Sequence, residues 1–307
     1  VDLEPDPPSD PEPPAWRPRV PPAPNPLLGE SLLEQARRPA ELTRAALRAV
    51  RDPRPAMEAA SNVVRAFTDF LVKPDPAPWN VPVSPHRRWV HADIAFDTVR
   101  EVRAHRGVTV NDGVLAACTG ALRAFLRDHG AGVDGRELKA MVPVSLRSDD
   151  EHGETLGNRV SLMVVDLPVD VADPLRRLDL IHARTLELKD SGLVDGAEVI
   201  VRIADGITPF AATLTRLVTR RIPMNLVITN IPGPPVPLYL RGSRILRIYP
   251  YVEVIDNEGL TIAVVSYDDH LFFGITSDRD VIPDLGLVAE GIDKEFATLA
   301  ALAAGSD

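Results

Sequence analysis

Histidine is the side chain that most often acts as a base at neutral pH, and the sequence contains seven of them. Five stand beside turn or linker residues and are expected to be solvated; they are His86, His105, His129, His152 and His270. His182 is predicted to be exposed on a helix, and His91 to be partly buried in a strand. No two of the seven have the spacing of zinc ligands, so a metal site is not expected.

Signatures of other catalytic chemistries are missing from the sequence. It has no G-x-S-x-G elbow and no P-loop, which argues against the serine hydrolases and nucleotide kinases that carry them. The single cysteine, Cys118, lies in an apolar helical stripe and is predicted to be a buried structural thiol. The run from His129 to Asp134 is similar to HxxxDG but has one residue too many, so it is predicted to be a helix end followed by a turn.

The composition is that of a globular protein with an acidic surface. The chain has 307 residues, 45% of them hydrophobic, and a net charge of −10. The acidic balance argues against nucleic acid as a partner and against broad electrostatic attachment to anionic membranes, although apolar contact with lipid needs no positive charge. One cysteine, no signal peptide and no apolar run of membrane-spanning length together predict a cytoplasmic protein.

The distribution of proline divides the chain into three regions. Eleven prolines fall within residues 1–26, which predicts an extended linker or a disordered tail. Residues 27–85 are predicted to be a helical connector, with helices at 27–50 and 55–72 and a second proline-rich linker up to residue 85. From residue 86 to 307, strands alternate with helices and are predicted to form the main domain.

The elements that must position candidate side chains follow from the hydrophobic periodicity. Strands are predicted at 89–96, 138–146, 159–167, 226–231, 260–267 and 271–277, and helices at 97–105, 173–188, 198–219 and 283–300. The most regular helix follows Thr109, where Thr109 or Asn111 can cap it, and ends at Gly130. The last two strands are predicted to form a hairpin around residues 268–270. This mixture predicts an α/β sandwich with a mixed sheet.

Five blocks of sequence, in this order, resemble the bacterial wax ester synthase/diacylglycerol acyltransferase family. They are TVNDGVLA (109–116), MVPVSLR (141–147), GNRVSLMVVDLP (157–168), NIPGP (230–234) and SYDDHLFFGITSDRDVIPD (266–284). The likeness covers nearly all of the chain. It departs at Gly113, where the family more often has a hydrophobic residue, and a glycine at a helix start costs roughly 1 kcal/mol.

The resemblance implies a CoA-dependent acyltransferase fold of the chloramphenicol acetyltransferase type, a sandwich with a mixed sheet flanked by helices. In that fold two similar halves face each other across a tunnel. The family's N-terminal half carries HHxxxDG, whose second histidine takes the proton of the attacking alcohol. HHxxxDG does not occur in this sequence, so the chain is expected to begin downstream of that domain and to need the HHxxxDG-bearing half as a partner.

The implied function is a long-chain acyl-CoA:diacylglycerol (or fatty alcohol) O-acyltransferase that makes triacylglycerol or wax ester. No cofactor is expected beyond the substrate acyl-CoA, and peripheral contact with a membrane or lipid droplet is a further expectation. Two alternatives stay open. One is a non-catalytic lipid-binding or scaffold protein, and the other is an acyltransferase of the same superfamily that uses a carrier-protein donor.

The resemblance also suggests candidates for the tunnel wall, each with a structural alternative. They are Asn111, Asp112, Arg147, Asn158, Ser161, Gly206, Pro209, Ala211 and Asn230. Asn111 and Asp112 would orient a polar group at a helix N-terminus or serve as an ordinary cap. Arg147 would pair with a carboxylate of the other half or be a surface cation. The three other polar residues would bond across the interface or serve turns, and the small residues from 206 onward would line an acyl channel or pack on the sheet.

Overall fold

The computed structural model describes residues 1–5, 74–145, 160–190 and 224–305. All of them belong to one compact unit. The helices expected at 27–50, 55–72 and 198–219 lie outside the described residues, and the proposed boundaries at residues 26 and 85 stay predictions. In the described part of the chain, no helix is both long and apolar enough to cross a membrane.

Six strands form one mixed sheet, as the sequence predicts. They are β1 (Arg87–Ala95), β2 (Leu138–Ser145), β3 (Val160–Leu167), β4 (Leu226–Ile231), β7 (Leu260–Tyr267) and β8 (His270–Asp278), in the order β1-β8-β7-β4-β2-β3. Strands β2, β4 and β7 run parallel, and β1, β3 and β8 run antiparallel to their neighbours. The carboxyl ends of the three parallel strands therefore share one edge of the sheet, where ligands bind in many open α/β folds.

Two tight turns shape this sheet edge and its surroundings. Asp268 and Asp269 both have positive φ, at 45° and 60°, which is the two-residue turn that joins twisted strands. The predicted hairpin of β7 and β8 is thus confirmed. A second hairpin, β5 (Tyr239–Leu240) and β6 (Ser243–Arg244), lies outside the main sheet. Its strands are too short to give a periodic signal, so the sequence did not predict it.

Four helices are described: α1 (Phe96–Arg106), α2 (Val110–Asp128), α3 (Pro174–Asp190) and α4 (Gly286–Ala304). Helix α2 is more deeply buried than a one-sided stripe predicts, because every residue from Asp112 to Leu122 is buried. Close approach to α4 depends on small residues, since a Cβ added at Gly291 would lie 2.9 Å from the Cβ of Ala121. Cys118 is buried within α2, as predicted, and burial raises the pKa of its thiol.

Residues 74–85, predicted to be a linker, are held against the sheet by a buried asparagine just before β4. The Oδ1 of Asn225 accepts from the backbone N–H of Lys139 at 2.7 Å, and its amide nitrogen donates to Asp75 O and Asn80 Oδ1. The indole N–H of Trp79, which is fully buried, donates to Asn225 O at 2.8 Å. These bonds fix the segment at the start of β2 and β4.

Candidate functional site

The start of α2 is closed by a reciprocal pair of hydrogen bonds. The backbone N–H of Asp112 donates to Thr109 Oγ1 at 3.2 Å, and the backbone N–H of Thr109 donates to Asp112 Oδ2 at 2.9 Å. This is the capping box that a threonine and an acidic residue three positions later form. The predicted cap by Thr109 is confirmed.

The carboxylate of Asp112 is fully buried and accepts three further hydrogen bonds, besides the one from the Thr109 N–H. The donors are Thr109 Oγ1 at 2.7 Å, His182 Nδ1 at 2.8 Å and Thr185 Oγ1 at 2.7 Å. Burial alone would raise the pKa of Asp112, but the bonds from Thr185, Thr109 and His182 outweigh it and lower the pKa. The carboxylate is therefore ionised at neutral pH and ties α2 to α3.

The contact between His182 and Asp112 is not predicted from the sequence. His182 was expected to be exposed, but its side chain is only 27% exposed and its Nδ1 bonds Asp112. The expectation was wrong because His182 and Thr185 lie one turn apart on the face of α3 that meets α2, next to the buried Ile181. The sequence signal for this contact was a pair of polar residues three positions apart on one helix, next to an aliphatic residue.

Because an ionised carboxylate can only accept, Nδ1 of His182 is the donor in its bond to Asp112. Within the described ranges, Nε2 of His182 has no hydrogen-bond partner. Beside the start of α2 is a depression of about 510 Å³, lined by Arg103, Gly107, Val108, Thr109 and Val110. The Asp112 carboxylate accepts hydrogen bonds from Thr109 at the start of α2 and from His182 and Thr185 on α3, so it holds the two helices together.

Of the remaining candidates, only two have both backbone and side chain described. Asn111 is half-buried in the first turn of α2, and Asn230 is half-buried near the end of β4. Ser161 pairs with Val144 in the β2–β3 ladder, but its side chain lies outside the described part of the structure. Five others also lie outside the described residues: Arg147, Asn158, Gly206, Pro209 and Ala211. Their roles stay predictions, and among the described residues no hydrogen bond joins Asn230 to the start of α2.

The turn after β4, with the sequence NIPGP, packs against the end of β7. The N–H of Gly233 donates to Ser266 Oγ at 3.0 Å, and a Cβ at Gly233 would lie 2.1 Å from Ser266 O. Only glycine fits so close to a neighbouring backbone. This contact explains why the motif contains glycine between two prolines, and it brings the ends of β4 and β7 together.

Another buried carboxyl group lies two residues before β7. Glu258 is 8% exposed, and its Oε2 has no hydrogen-bond partner among the described residues. Burial raises the pKa of Glu258 to about 7. In the parts of the chain that the structure describes, no cluster of three or more His, Cys, Asp or Glu side chains could hold a metal ion.

Comparison with known protein families identifies the family to which these motifs belong. The WS/DGAT C-terminal domain matches residues 156–300, and the wax ester synthase/diacylglycerol acyltransferase catalytic domain matches residues 1–114. The chain belongs to the wax ester synthase/diacylglycerol acyltransferase (WS/DGAT) family. The match over residues 1–114 corrects one expectation, because these residues align with the WS/DGAT catalytic domain rather than lying downstream of it.

Two curated relatives of this WS/DGAT chain illustrate the similarity. It is 36% identical over 236 residues to the Mycobacterium tuberculosis protein named "probable diacylglycerol O-acyltransferase", covering 76% of this chain and 50% of the relative. It is 32% identical over 219 residues to the O-acyltransferase WSD of Acinetobacter baylyi, covering 71% and 47%. The chain thus spans about half the length of the curated relatives it matches.

Solved structures agree with the fold. The wax ester synthase/diacylglycerol acyltransferase of Marinobacter aquaeolei VT8 superposes with a TM-score of 0.62 at 28% identity, over 82% of this chain and 56% of that one. The condensation domain of the enacyloxin polyketide synthase gives a TM-score of 0.51 at 14% identity, over 80% and 48%. The second likeness shows the fold alone. The predicted acyltransferase fold is confirmed.

Proposed function

We propose that this chain is the C-terminal part of a long-chain acyl-CoA:diacylglycerol or fatty alcohol O-acyltransferase. The observation that carries the proposal is the similarity to relatives named as O-acyltransferases, at 32–36% identity over more than two thirds of the chain. The five sequence blocks also support it, and for two of them the structure shows the contacts that require their residue types. These are the capped start of α2 and the glycine turn after β4.

The proposed reaction transfers the acyl group in a single displacement. A histidine of HHxxxDG, supplied by the other half, takes the proton from the alcohol, and the alcohol oxygen attacks the thioester carbonyl. The carbon–sulfur bond breaks, the ester is released, and the CoA thiolate takes up the proton. The thioester is already activated, so this chemistry needs no cofactor.

Within this proposal, the described unit forms one wall of the substrate tunnel. The Asp112, His182 and Thr185 side chains act as positioning residues, because they lock α2 to α3 and fix Asn111 in the first turn. The other eight sequence candidates remain the proposed lining of the tunnel, whereas the fully buried Asp112 is placed among the positioning residues. The proposed location is the cytoplasm, at the periphery of a membrane or lipid droplet where the water-insoluble substrates are held.

A fusion protein tests the proposal. The HHxxxDG-bearing part of the Marinobacter aquaeolei relative is joined to this chain in place of the relative's own matching part. Release of CoA from long-chain acyl-CoA is then followed with hexadecanol or diacylglycerol as the acceptor. We expect release that increases with acyl chain length and that disappears when the second histidine of HHxxxDG is replaced by alanine.

The parent Marinobacter enzyme and the separate halves are the controls. A fusion with a native-like thermal transition that cleaves no acyl-CoA with any alcohol would overturn the proposal. A folded fusion that uses only carrier-protein thioesters would also overturn it, and would favour the carrier-dependent alternative.

A further inference from the structure

The segment between β4 and β7 exposes an unusual number of large apolar side chains. Nearly half of the large hydrophobic residues that are exposed in the described structure lie between residues 231 and 255; they are Ile231, Val236, Leu240, Leu246, Tyr251 and Ile255. Leu240 is 58% exposed and Leu246 is 71% exposed. Exposed apolar residues concentrated in one segment of a chain are candidates for a site of interaction.

The charge of the same segment differs from that of the rest of the chain. Residues 231–255 contain three arginines and one acidic residue, Glu253, whereas the whole chain has 44 acidic residues and a net charge of −10. Arg241, Arg244 and Arg247 alternate with the exposed leucines and are themselves exposed. Exposed leucine and aromatic side chains next to arginines are the composition of surfaces that insert shallowly into lipid.

The exposed leucines are presented by a rigid support. The hydroxyl of Tyr267, a buried residue, accepts from the backbone N–H of Leu238 at 2.8 Å and donates to Ile245 O at 2.7 Å. The backbone N–H of Ile245 also donates to Leu238 O at 2.8 Å. The hairpin of β5 and β6 therefore holds Leu240 and Leu246 outward in a fixed conformation instead of leaving them on a loose loop.

The tip of the hairpin carries an arginine in a conformation that arginine disfavours. Arg241 has a φ of 50° and precedes Gly242, whose φ is 79°. Asparagine or glycine is preferred at such a turn position, so arginine there costs stability. Among the described residues Arg241 makes no ion pair, whereas Arg244 bonds Asp268 and Arg247 pairs with Asp93. Its charge is thus available to an external anion.

We propose that the β5–β6 hairpin and the chain that follows it, residues 236–251, dock on an anionic lipid surface. Leu240 and Leu246 enter the boundary between headgroups and acyl chains, and Arg241 binds lipid phosphate. This inference rests on the proposed function, because a lipid-surface contact would bring the tunnel to substrates that do not dissolve in water. The proposed function leaves the lipid-contacting surface unspecified, and residues 236–251 are the segment proposed to form it.

Vesicle flotation of the full chain tests the docking. Vesicles of phosphatidylcholine alone are compared with vesicles of equal parts phosphatidylcholine and phosphatidylglycerol. We expect the chain to float with the anionic vesicles, and the double variant Leu240→Ser/Leu246→Ser to bind about a hundredfold more weakly. Leu186→Ser and Leu287→Ser are matched controls, since these leucines are 43% and 41% exposed on α3 and α4, and both should float like the unsubstituted chain.

The variant Arg241→Asn separates binding from folding. Asparagine tolerates positive φ, so the thermal transition should be unchanged or higher, while binding to anionic vesicles should fall about fivefold. Flotation of the double leucine variant equal to that of the unsubstituted chain would overturn the proposal, as would failure of the chain to float with either vesicle. A third contradicting result is a double variant that floats normally but no longer assembles with the HHxxxDG half, which would identify the patch as a protein interface.

Vesicle binding requires no thioester chemistry. If the fusion is inactive but the chain still floats, the proposed function is overturned and the docking is supported. If the fusion is active but the chain does not float, the proposed function is supported and the docking is overturned.

Discussion

Two of the carboxyl groups buried in the described unit have environments with opposite effects on their ionisation. Asp112 accepts four hydrogen bonds at the start of α2, and its pKa is lowered. Glu258 is nearly as buried, but its Oε2 has no partner among the described residues and its pKa is raised to about 7. The difference shows that hydrogen bonding, rather than burial, decides whether an interior carboxyl group is charged and stabilising.

Asp112→Ala should give the largest effect. The substitution removes the Asp112 acceptor from four donor groups, two on Thr109 and one each on His182 and Thr185. We expect the free energy of unfolding to fall by about 3 kcal/mol, measured by urea denaturation. Asp97→Ala is the control, because Asp97 is 79% exposed in the first turn of α1 and should change stability by less than about 0.5 kcal/mol. Similar losses for both variants would show that the Asp112 bonds are not special.

Glu258 should make stability depend on pH in the opposite sense to a satisfied carboxylate. The folded pKa of about 7 lies above the ordinary value of 4.5, so the unfolded chain ionises first as the pH rises. The free energy of unfolding should therefore fall by roughly 3 kcal/mol as the pH rises from 4.5 through 7 and then level off. Chemical denaturation of Glu258→Gln at several pH values should show this decline removed. An equal decline in the variant would assign the effect to other groups.

Thr185→Val tests one bond of the network at nearly constant volume. Loss of the bond to Asp112 should lower the free energy of unfolding by about 1 kcal/mol and raise the pKa of Asp112. The stability that ionised Asp112 provides is present above the unfolded pKa of 3.8 and is lost as the pH falls through the lower, folded pKa. A carboxyl-carbon NMR titration should show Asp112 titrating at higher pH in the variant. An unchanged titration would mean that Thr185 does not hold the charge.

Gly113→Ala should have the smallest effect and the opposite sign. A Cβ at Gly113 would lie 3.9 Å from Val99 Cγ1 and 4.0 Å from a ring carbon of Phe296, which is ordinary contact. The variant should be more stable by up to about 1 kcal/mol in thermal or urea unfolding, because alanine favours helix. Gly291→Ala is the matched comparison, since its Cβ would collide with Ala121, and it should be less stable. A destabilised Gly113→Ala would mean that the start of α2 needs glycine for another reason.

Local patterns predicted most of the described fold. The bounds of β4 and β7 were predicted as the structure has them, and the β7–β8 hairpin and the Thr109 cap followed from short-range turn and capping chemistry. The contacts that complete the site are long-range. His182 lies 70 residues from Asp112, and Asn225 lies 86 residues from Lys139, so no local periodicity could pair them.

The candidate site was predicted only in part for the same reason. The motif containing Asn111 and Asp112 was recognisable, but its burial was not, because a helix enclosed on all sides has the same local capping signal as one on a surface. Glu258 gave no signal at all. A lone glutamate beside a glycine is expected in a solvated turn, whereas in the structure the backbone N–H of the next residue, Gly259, donates to Trp79 O at 2.9 Å, a contact distant in sequence.

The most direct test of the account is the identity of the product made by the fusion of this chain with the HHxxxDG-bearing part of the Marinobacter relative. Isotope-labelled palmitoyl-CoA would be supplied with hexadecanol or diacylglycerol, and the lipids analysed by mass spectrometry. We expect labelled wax ester or triacylglycerol that is absent when the second histidine of HHxxxDG is alanine. A folded fusion that yields no labelled ester with either acceptor would contradict it.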